Sequence, residues 1–217
     1  MHGWSALILA GGAGRRFGGG KLLAPLAGEP VIRRTVEAVA ATGFAELIVA
    51  TGADDAGIRA ALDGVACRIV HAPDWSEGMA ATLRTGVAAL APDAAGVCVF
   101  LGDMPLVPVH LSAALTEAAT AAGYAARPRV EGKPGHPVAL THAAFANLMT
   151  LEGDQGAAML FKTRRLGEVA YLDTAETGAL TDIDSPAELA AAERAWNSRA
   201  TSATSDNATL RGALPKP

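Results

Sequence analysis

The residues in this chain best suited to chemistry lie in a glycine-rich stretch near its start, Leu7 to Leu23 (LILAGGAGRRFGGGKLL). Six glycines surround Arg15, Arg16 and Lys21, and the stretch has no carboxylate to neutralise these three charges. Glycines let backbone N–H groups approach a ligand closely, and N–H groups together with cations attract anions. The stretch therefore predicts a binding loop for a phosphate chain.

Two common phosphate-binding patterns do not describe this loop. The pattern G-x-x-x-x-G-K-[ST], aligned on Lys21, requires glycine where Arg15 stands. The dinucleotide pattern G-x-G-x-x-G fails because Phe17 takes the place of its third glycine. The alternative is a flexible surface turn with solvated cations. So many glycines would weaken a fold unless the backbone had to approach a ligand, which favours a binding loop.

A carboxylate follows the most apolar segment of the chain, Gly96 to Leu101 (GVCVFL). Unbroken apolar runs are typical of parallel strands that are buried on both faces, so this segment predicts a central strand. Asp103 would then lie at a carboxyl end of the sheet, where open α/β sheets bind ligands, and could hold Mg²⁺. The alternative is a loop residue that caps the helix predicted after Pro108.

Three further segments contain candidate site residues. Asp182 and Asp184 flank Ile183, so an extended backbone would point both carboxylates to one side, although Asp184 could equally begin the last helix. Gly78 opens a helical pattern whose free N–H groups could bind an anion or a base edge, with Thr82 one turn later. His136 lies in a Gly/Pro-rich turn. It could contact a substrate, or it could be a simple turn residue.

The elements that must position these residues alternate between strand and helix patterns, which predicts a doubly wound α/β sheet. Antiparallel strands are predicted around the turn VEGKPG. We expect one domain over 1–197, ending in a helix that starts at Ser185-Pro186 and runs to about Trp196. The polar, aperiodic segment 198–217 predicts a disordered tail. Predicted strands are 6–9, 46–50, 67–70, 96–101, 125–128, 137–140 and 169–172; predicted helices are 30–42, 54–62, 79–90, 108–122, 143–149, 156–162 and 186–196.

Composition restricts the class of protein. A net charge of -4 and a pI near 5.7 argue against a general nucleic-acid binder, which needs a broad basic face. No apolar run approaches the roughly 20 residues of a membrane span, and the start MHGWSALILAGG lacks a secretory signal pattern, so we expect a cytoplasmic protein. Cys67 and Cys98 lie in apolar runs, which predicts buried thiols.

Six motifs, in this order, resemble the signature of the molybdenum cofactor nucleotidyltransferases, the cytidylyl- and guanylyltransferases of molybdopterin: LAGGAGRRFGGGKLL, GMAATLRTG (78–86), LGDMPLV (101–107), GHPV (135–138), GDQGA (153–157) and TDIDSP (181–186). The resemblance covers 7–196. It implies a three-layer Rossmann-like nucleotidyltransferase fold, with a mostly parallel central sheet and an antiparallel excursion. It also implies transfer of a nucleoside monophosphate from an NTP to the terminal phosphate of molybdenum cofactor, with release of pyrophosphate.

The resemblance also implies roles for individual residues. The implied catalytic residues are Arg15, Lys21 and Asp103. The implied ligands of Mg²⁺ are Asp103 and Asp184, and the implied acceptor contacts are His136 and Asp182. The implied nucleotide-binding residues are Leu9, Ala10, Gly11, Gly12, Gly14, Arg15, Lys21, Gly78, Thr82 and Asp103.

The identity of the base is less clear from the motifs. The resemblance implies LAAG in cytidylyl enzymes and LAGG in guanylyl enzymes, and this chain has LAGG, with glycine at Gly11. KLL, GDMPLV and GDQGA resemble the cytidylyl side. Gly20 stands where the family usually has Asn or Asp, and Ala80 and Thr82 replace the serines of a G-M-S-x-S-L pattern. We expect CTP as the substrate, with GTP as the alternative.

Two other functions fit the same resemblance. Some relatives of the family, nicotine blue oxidoreductases among them, are assigned NAD(P)H-dependent redox chemistry. Against this, the dinucleotide pattern fails and the second predicted strand runs into Ala50-Thr51-Gly52 with no acidic ribose-binding residue. The other is a non-catalytic carrier that passes molybdenum cofactor to a molybdoenzyme. Retention of both Lys21 and Asp103 argues against binding alone.

Overall fold

Strands and helices alternate along the chain as the sequence predicts. The computed structural model describes residues 1–162 and 167–212, with side chains as far as Arg199. The strands are β1 Trp4–Ala10, β2 Pro25–Leu26, β3 Glu29–Pro30, β4 Glu46–Thr51, β5 Arg68–His71, β6 Gly96–Leu101, β7 Ala125–Val130, β8 Lys133–Pro134, β9 Val138–Thr141 and β10 Val169–Asp173. The helices are α1 Val31–Ala40, α2 Asp55–Ala61, α3 Met79–Ala88, α4 Ser112–Ala122, α5 Phe145–Leu148 and α6 Pro186–Gly212.

The main sheet has the strand order β10-β7-β9-β6-β1-β4-β5, with β8 paired to β7. The neighbours β6, β1, β4 and β5 are parallel, whereas β9 is antiparallel to both β6 and β7. This confirms the mostly parallel sheet with an antiparallel excursion. The predicted central strand, Gly96–Leu101, lies between β1 and β9, with the same bounds as predicted.

Helices cover both faces of the sheet, which gives the three predicted layers. Successive side chains of β1 point to opposite faces because a strand alternates. Leu7 packs with Leu83 of α3 in one buried cluster, and Ile8 packs with Ile32 and Val36 of α1 in the other. Since both faces are covered, β1 is buried along its whole length and is apolar except for Ser5.

Several observed helices differ from the predicted ones. The helix α4 begins at Ser112, after a 3₁₀ turn at Val109–Leu111, and not at 108, and α1 and α3 each end two residues earlier than predicted. The predicted helix 143–149 is α5, four residues preceded by a 3₁₀ turn, and 156–162 contains a 3₁₀ helix at Ala157–Lys162. The helix α6 continues beyond its predicted end at Trp196, to Gly212. The predicted disordered tail therefore overlaps the end of α6, and its last residues, 213–217, lie outside the described residues.

Both cysteines are free, and Cys98 is buried as predicted, whereas Cys67 is only half-buried, so the prediction of a buried thiol is wrong for Cys67. Burial raises the pKa of both thiols, so they remain protonated at neutral pH. Among the described residues, no helix combines the length and apolar character needed to cross a membrane.

Candidate active site

The glycine-rich loop leaves the carboxyl end of β1 and brings Lys21 back toward it. Gly14 and Gly20 have left-handed backbone conformations with φ of 62° and 64°, which glycine adopts without strain. A Cβ on Gly14 would lie 3.1 Å from Cγ of Lys21, so the loop backbone lies directly against this side chain. Lys21 itself begins a 3₁₀ turn, Lys21–Leu23.

Lys21 joins two carboxylates that come from distant parts of the chain. Its Nζ donates to Oδ2 of Asp103 at 2.5 Å and to Oδ1 of Asp184 at 2.8 Å. The exposed fractions of the three side chains are 13% for Lys21, 17% for Asp103 and 31% for Asp184. The loop after β1, the end of β6 and the start of α6 therefore meet at one partly buried cluster of charges.

Burial and charge act in opposite directions in this cluster. Burial alone would lower the pKa of Lys21, but the charges and hydrogen bonds of Asp103 and Asp184 outweigh it and raise that pKa. Burial raises the pKa of Asp103 despite the attraction of Lys21, and the charge of Asp182 adds to the rise. Hydrogen bonding from Lys21 lowers the pKa of the more exposed Asp184. Lys21 is thus firmly protonated and supplies the positive charge that the cluster needs.

The donor set of this cluster fits a hard divalent cation. The second oxygen of Asp103, Oδ1, is buried and has no hydrogen-bond partner among the described residues. A buried carboxylate oxygen without a partner is costly, and an oxygen-preferring cation would satisfy it. Among the described residues, no group of three or more His, Cys, Asp and Glu side chains is placed so that it could hold a metal ion by itself. Phosphate and water would have to complete the coordination, as is usual for Mg²⁺.

A buried isoleucine holds the two acidic residues of TDIDSP in place. Ile183 is fully buried, and its N–H donates to the carbonyl of Asp103 at 3.1 Å. Asp184 faces Lys21, while Asp182 is exposed. Glu188 also accepts from the N–H of Asp184, and Ser185 and Glu188 form the predicted capping box. Asp184 therefore serves the start of α6 and the charged cluster together, so the two interpretations of this residue are compatible.

The two loop arginines have different surroundings. Arg15 is exposed, and its side chain has no hydrogen bond or ion pair with any described residue. Arg16, whose side chain is 85% exposed, donates to Oδ2 of Asp184 at 2.9 Å. Sequence reasoning gave Arg16 no role. Its position next to Arg15 in the loop was the signal, but the partner 168 residues away was not visible.

The start of α3 contacts the loop that contains the GDQGA motif. Gly78 has φ 121°, and a Cβ there would lie 2.4 Å from the carbonyl oxygen of Gly153. That carbonyl accepts from the N–H of Ala80 at 2.9 Å. This N–H was predicted to be free for an anion or base edge, and that prediction is wrong for Ala80. Asp154 is brought to the cavity by the same contact.

Thr82 and Gly11 are matched in shape. A Cβ on Gly11 would lie 2.1 Å from Oγ1 and 2.9 Å from Cγ2 of Thr82. These distances are far inside van der Waals contact, so Thr82 occupies the space that an alanine at position 11 would need. Thr82 is only 3% exposed. The glycine in LAGG is thus accounted for by its neighbour on α3.

A cavity of about 510 Å³ collects these groups at the carboxyl ends of β1 and β6. Every residue that the resemblance implies for nucleotide binding or metal binding lines it, from Leu9 to Asp184. His136 and Asp182, the implied acceptor contacts, are not among its lining residues. Lining residues that sequence reasoning missed include Arg16, Trp75, Glu77 and Asp154. Trp75 belongs to none of the six motifs, so no signal in the sequence marked it, whereas Asp154 lies within GDQGA.

His136 is held in its turn away from this cavity. Its N–H donates to the carbonyl of Ala179 at 2.8 Å, and its Nδ1 is buried with no partner among the described residues. Burial, together with the charge of Arg127, lowers the pKa of His136 from 6.5 to about 4, although a hydrogen bond with the Val99 backbone opposes the change. The imidazole is therefore neutral at physiological pH.

Comparison with known proteins gives consistent matches. A family model described as the MobA-like NTP transferase domain matches residues 6–169. Purine catabolism protein PucB of Bacillus subtilis (strain 168) is 28% identical over 205 residues, 88% of this chain and 96% of PucB. Nicotine blue oxidoreductase of Paenarthrobacter nicotinovorans is 28% identical over 194 residues, 85% of this chain and 94% of that protein.

The solved structures include Rv0371c from Mycobacterium tuberculosis H37Rv, with 25% identity and a TM-score of 0.73. The similarity covers 88% of this chain and 97% of Rv0371c. A second structure of Rv0371c is a complex with manganese, with a TM-score of 0.63 over 79% of this chain and 88% of that one.

The depressed pKa of His136 makes a prediction about stability and pH. The unfolded chain takes up a proton near pH 6.5, whereas the folded chain does so only near pH 4, so stability falls as the pH falls between these values. Between pH 7 and pH 4.5 this group should cost about 2 kcal/mol of unfolding free energy. The His136→Asn variant should lack this loss when urea unfolding is measured at both pH values. If wild type and His136→Asn lose the same unfolding free energy between these pH values, the lowered pKa of His136 would be contradicted.

Proposed function

Because this chain belongs to the MobA-like NTP transferase family, we propose that it transfers a cytidylyl group from CTP to the terminal phosphate of a molybdopterin-type cofactor and releases pyrophosphate. The family makes the chain a nucleotidyltransferase and confirms the resemblance that the six motifs carry. The choice of CTP over GTP, the pterin acceptor and the roles of individual residues are parts of our proposal.

The observation that carries the proposal is the bridge from Lys21 to Asp103 and Asp184 beside the glycine-rich loop. Nucleotidyl transfer requires that anionic groups meet while charge moves from the attacking oxygen to the leaving pyrophosphate. A cationic loop, a protonated lysine and a carboxylate oxygen free for a metal supply the groups that this requires. They line one cavity at the edge of the sheet where such folds bind ligands.

In the proposed reaction, an oxygen of the acceptor's terminal phosphate attacks the α-phosphorus of CTP. A new P–O bond forms, and the bond between the α-phosphorus and the bridging oxygen breaks, so that pyrophosphate leaves with the electron pair. The attacking phosphate is already ionised and needs no strong general base. We assign Lys21 and Arg15 to stabilise the charge that develops on the phosphates, because Arg15 lines the cavity without a partner among the described residues.

We propose Asp103 and Asp184 as the protein ligands of Mg²⁺. When bound, the ion would neutralise phosphate charge and act as a Lewis acid. The buried, unpartnered Oδ1 of Asp103 supports this assignment. The manganese complex of Rv0371c supports use of a divalent cation by a relative of this chain. Lys21 keeps the two carboxylates close together, so their shared position depends on this one side chain.

The contact between Gly11 and Thr82 supports CTP. The resemblance implied GTP from the LAGG motif alone. In physical terms, a glycine at position 11 favours a larger base only where the missing Cβ leaves room for it. Here the side chain of Thr82 fills that room. The smaller pyrimidine is therefore the better fit, in agreement with KLL, GDMPLV and GDQGA.

The proposed acceptor contacts have weaker support. Asp182 is exposed and close enough to Asp103 to affect its pKa, so an acceptor held at the cluster would lie near it. His136 has a buried Nδ1 without a partner among the described residues, and this is the one feature that favours a ligand contact there. We retain both as proposed acceptor residues.

The similarity to nicotine blue oxidoreductase makes NAD(P)H-dependent redox chemistry the second candidate. A carboxylate in contact with the last residue of β4 is Asp55, which accepts from Thr51 and pairs with Arg59 at 2.9 Å. The carboxylate of Asp55 is therefore already paired, and a ribose could bind it only by displacing Thr51 or Arg59. A non-catalytic carrier is the third candidate, but it would not need the charged cluster.

An assay of pyrophosphate release separates the candidates. With Mg²⁺ and purified molybdenum cofactor, we expect release with CTP, slower release with GTP and background release with ATP. If no NTP gives pyrophosphate release, and the protein oxidises NAD(P)H in the absence of molybdenum cofactor, the result would support the oxidoreductase. Absence of both activities, with tight binding of molybdenum cofactor, would support the carrier.

Removal of the side chain of Lys21 or of Asp103 should greatly slow the reaction. Lys21→Ala and Asp103→Ala should each lower kcat by at least about 100-fold, the scale of losing one transition-state donor. Asp93→Ala is the matched control, because Asp93 is exposed and precedes β6 at its opposite end. Turnover within a few-fold of wild type in either cluster variant, measured on protein that is folded by circular dichroism, would contradict the assignment.

Thr82 should determine which base is accepted. Thr82→Ala leaves the space beside Gly11 empty and should raise the ratio of kcat/KM for GTP to that for CTP by about tenfold, as expected for a few methyl-sized groups in a pocket. Thr85→Ala, one turn later on α3 and outside the cavity lining, is the control. An unchanged ratio in Thr82→Ala would mean that this contact does not select the base.

A further inference from the structure

A second cavity, also of about 510 Å³, lies beside the nucleotide cavity, and Asp154 lines both. We propose that this second cavity binds an oxyanion group through Arg127 and, given the proposed function, that this group is the oxo-molybdenum end of the acceptor, away from its attacking phosphate. The lining residues on which the proposal rests are Arg127, Asp154, Phe161, Lys162 and Tyr171.

Arg127 is a buried cation whose charge is not balanced by any carboxylate of the described residues. Only 7% of the residue is exposed. Its Nε and Nη2 both donate to the carbonyl of Gly135, at 3.0 Å and 2.9 Å. The guanidinium lies over the ring of Phe161, 5.3 Å from the ring centre. Among residues 1–162 and 167–199, no carboxylate pairs with it, and a buried charge without a counter-ion is costly.

The neighbouring Arg129 shows what a structural arginine on this strand looks like. Both arginines belong to β7, where they are two residues apart, and β10 runs parallel beside them. Arg129 faces Asp173 and pairs with both of its oxygens, at 2.7 Å and 2.9 Å. The register places Tyr171 opposite Arg127. The strand pair thus supplies a carboxylate to the exposed arginine and none to the buried one.

The second cavity has the charge and surface expected for an organic anion. Arg127 and Lys162 contribute two positive charges to its described lining, against the single negative charge of Asp154. Phe161 and Tyr171 pack together with their ring centres 5.8 Å apart and provide an apolar wall. A planar guanidinium donates in a fixed fork that suits carboxylate and phosphate oxygens. An oxyanion carried on a flat organic framework fits these surfaces.

The position relative to the nucleotide cavity favours the acceptor over the nucleotide. The groups assigned to CTP line the first cavity, whereas Arg127 lines only the second. A ligand that extends past Asp154 would place one end at the Lys21 cluster and the other at Arg127. Arg127 also binds the carbonyl of Gly135, next to His136, which the family resemblance implies as an acceptor contact.

The first test measures oxyanion binding while the first cavity is occupied. Inorganic phosphate and sulfate are titrated by calorimetry into the full chain saturated with CTP, so that the phosphate loop is filled, and the Nε–H signals of the arginines are followed by NMR. Arg127→Gln should weaken phosphate binding by at least about tenfold, because a charge-assisted contact is lost. Arg129→Gln is the matched control and should stay within about twofold of wild type. Phosphate affinity that is equal in wild type and Arg127→Gln overturns the proposal.

Lys162→Met provides a second variant in case Arg127→Gln does not fold, since Lys162 is exposed. It should weaken phosphate binding about threefold or more, and an unchanged affinity would overturn the proposed cavity.

Steady-state kinetics then identify the source of the oxyanion. In Arg127→Gln, or Arg127→Lys if the former is unstable, the acceptor KM should rise about tenfold while the CTP KM stays within twofold.

Weaker phosphate binding with an unchanged acceptor KM would show a site for free inorganic oxyanion only and would overturn the acceptor assignment. If wild-type protein releases no pyrophosphate with any NTP, yet binds phosphate in a manner that depends on Arg127, the proposed function fails and the oxyanion site stands. The two claims are therefore tested separately.

Discussion

The position of one ammonium group determines how the active-site cavity is assembled. Lys21 contacts Asp103 and Asp184, which are 82 and 163 residues away in sequence, and these contacts join the glycine-rich loop to the end of β6 and the start of α6. Without Lys21, two carboxylates would face each other in the cavity that we propose accepts a triphosphate. The partly buried location strengthens both attraction and repulsion, so the charge of Lys21 stabilises the geometry of the cluster, in addition to its proposed role in binding phosphate.

Neighbouring side chains decide what a local motif means in this fold. The LAGG motif alone would indicate a larger base, but the side chain of Thr82 occupies the space beside Gly11. Arginines two residues apart on β7 likewise differ because β10 presents aspartate to one and tyrosine to the other. The interpretation of Gly11 and that of Arg127 thus each depend on a residue from a different element and not on the local motif.

Much of the fold could be predicted because its signals are local. The apolar run of β6 and the Ser185–Glu188 capping box gave correct boundaries, and the loop motifs lie at carboxyl ends of strands, where the cavity forms. Contacts over long separations could not be predicted. The pairing of Arg16 with Asp184 and the absence of a described carboxylate beside Arg127 depend on loop path and strand register, which hydrophobic patterns do not determine.

Binding of Mn²⁺ in the presence of CTP, followed by electron paramagnetic resonance, tests most directly whether the bridged carboxylates form the metal site. The wild-type chain should bind one Mn²⁺ per chain, Asp103→Asn and Asp184→Asn should each weaken that binding by at least about tenfold, in line with loss of a metal ligand, and Asp182→Asn should leave it unchanged. Mn²⁺ binding by Asp103→Asn with wild-type affinity would contradict the account, because the buried Oδ1 of Asp103 would then have no part in holding the ion.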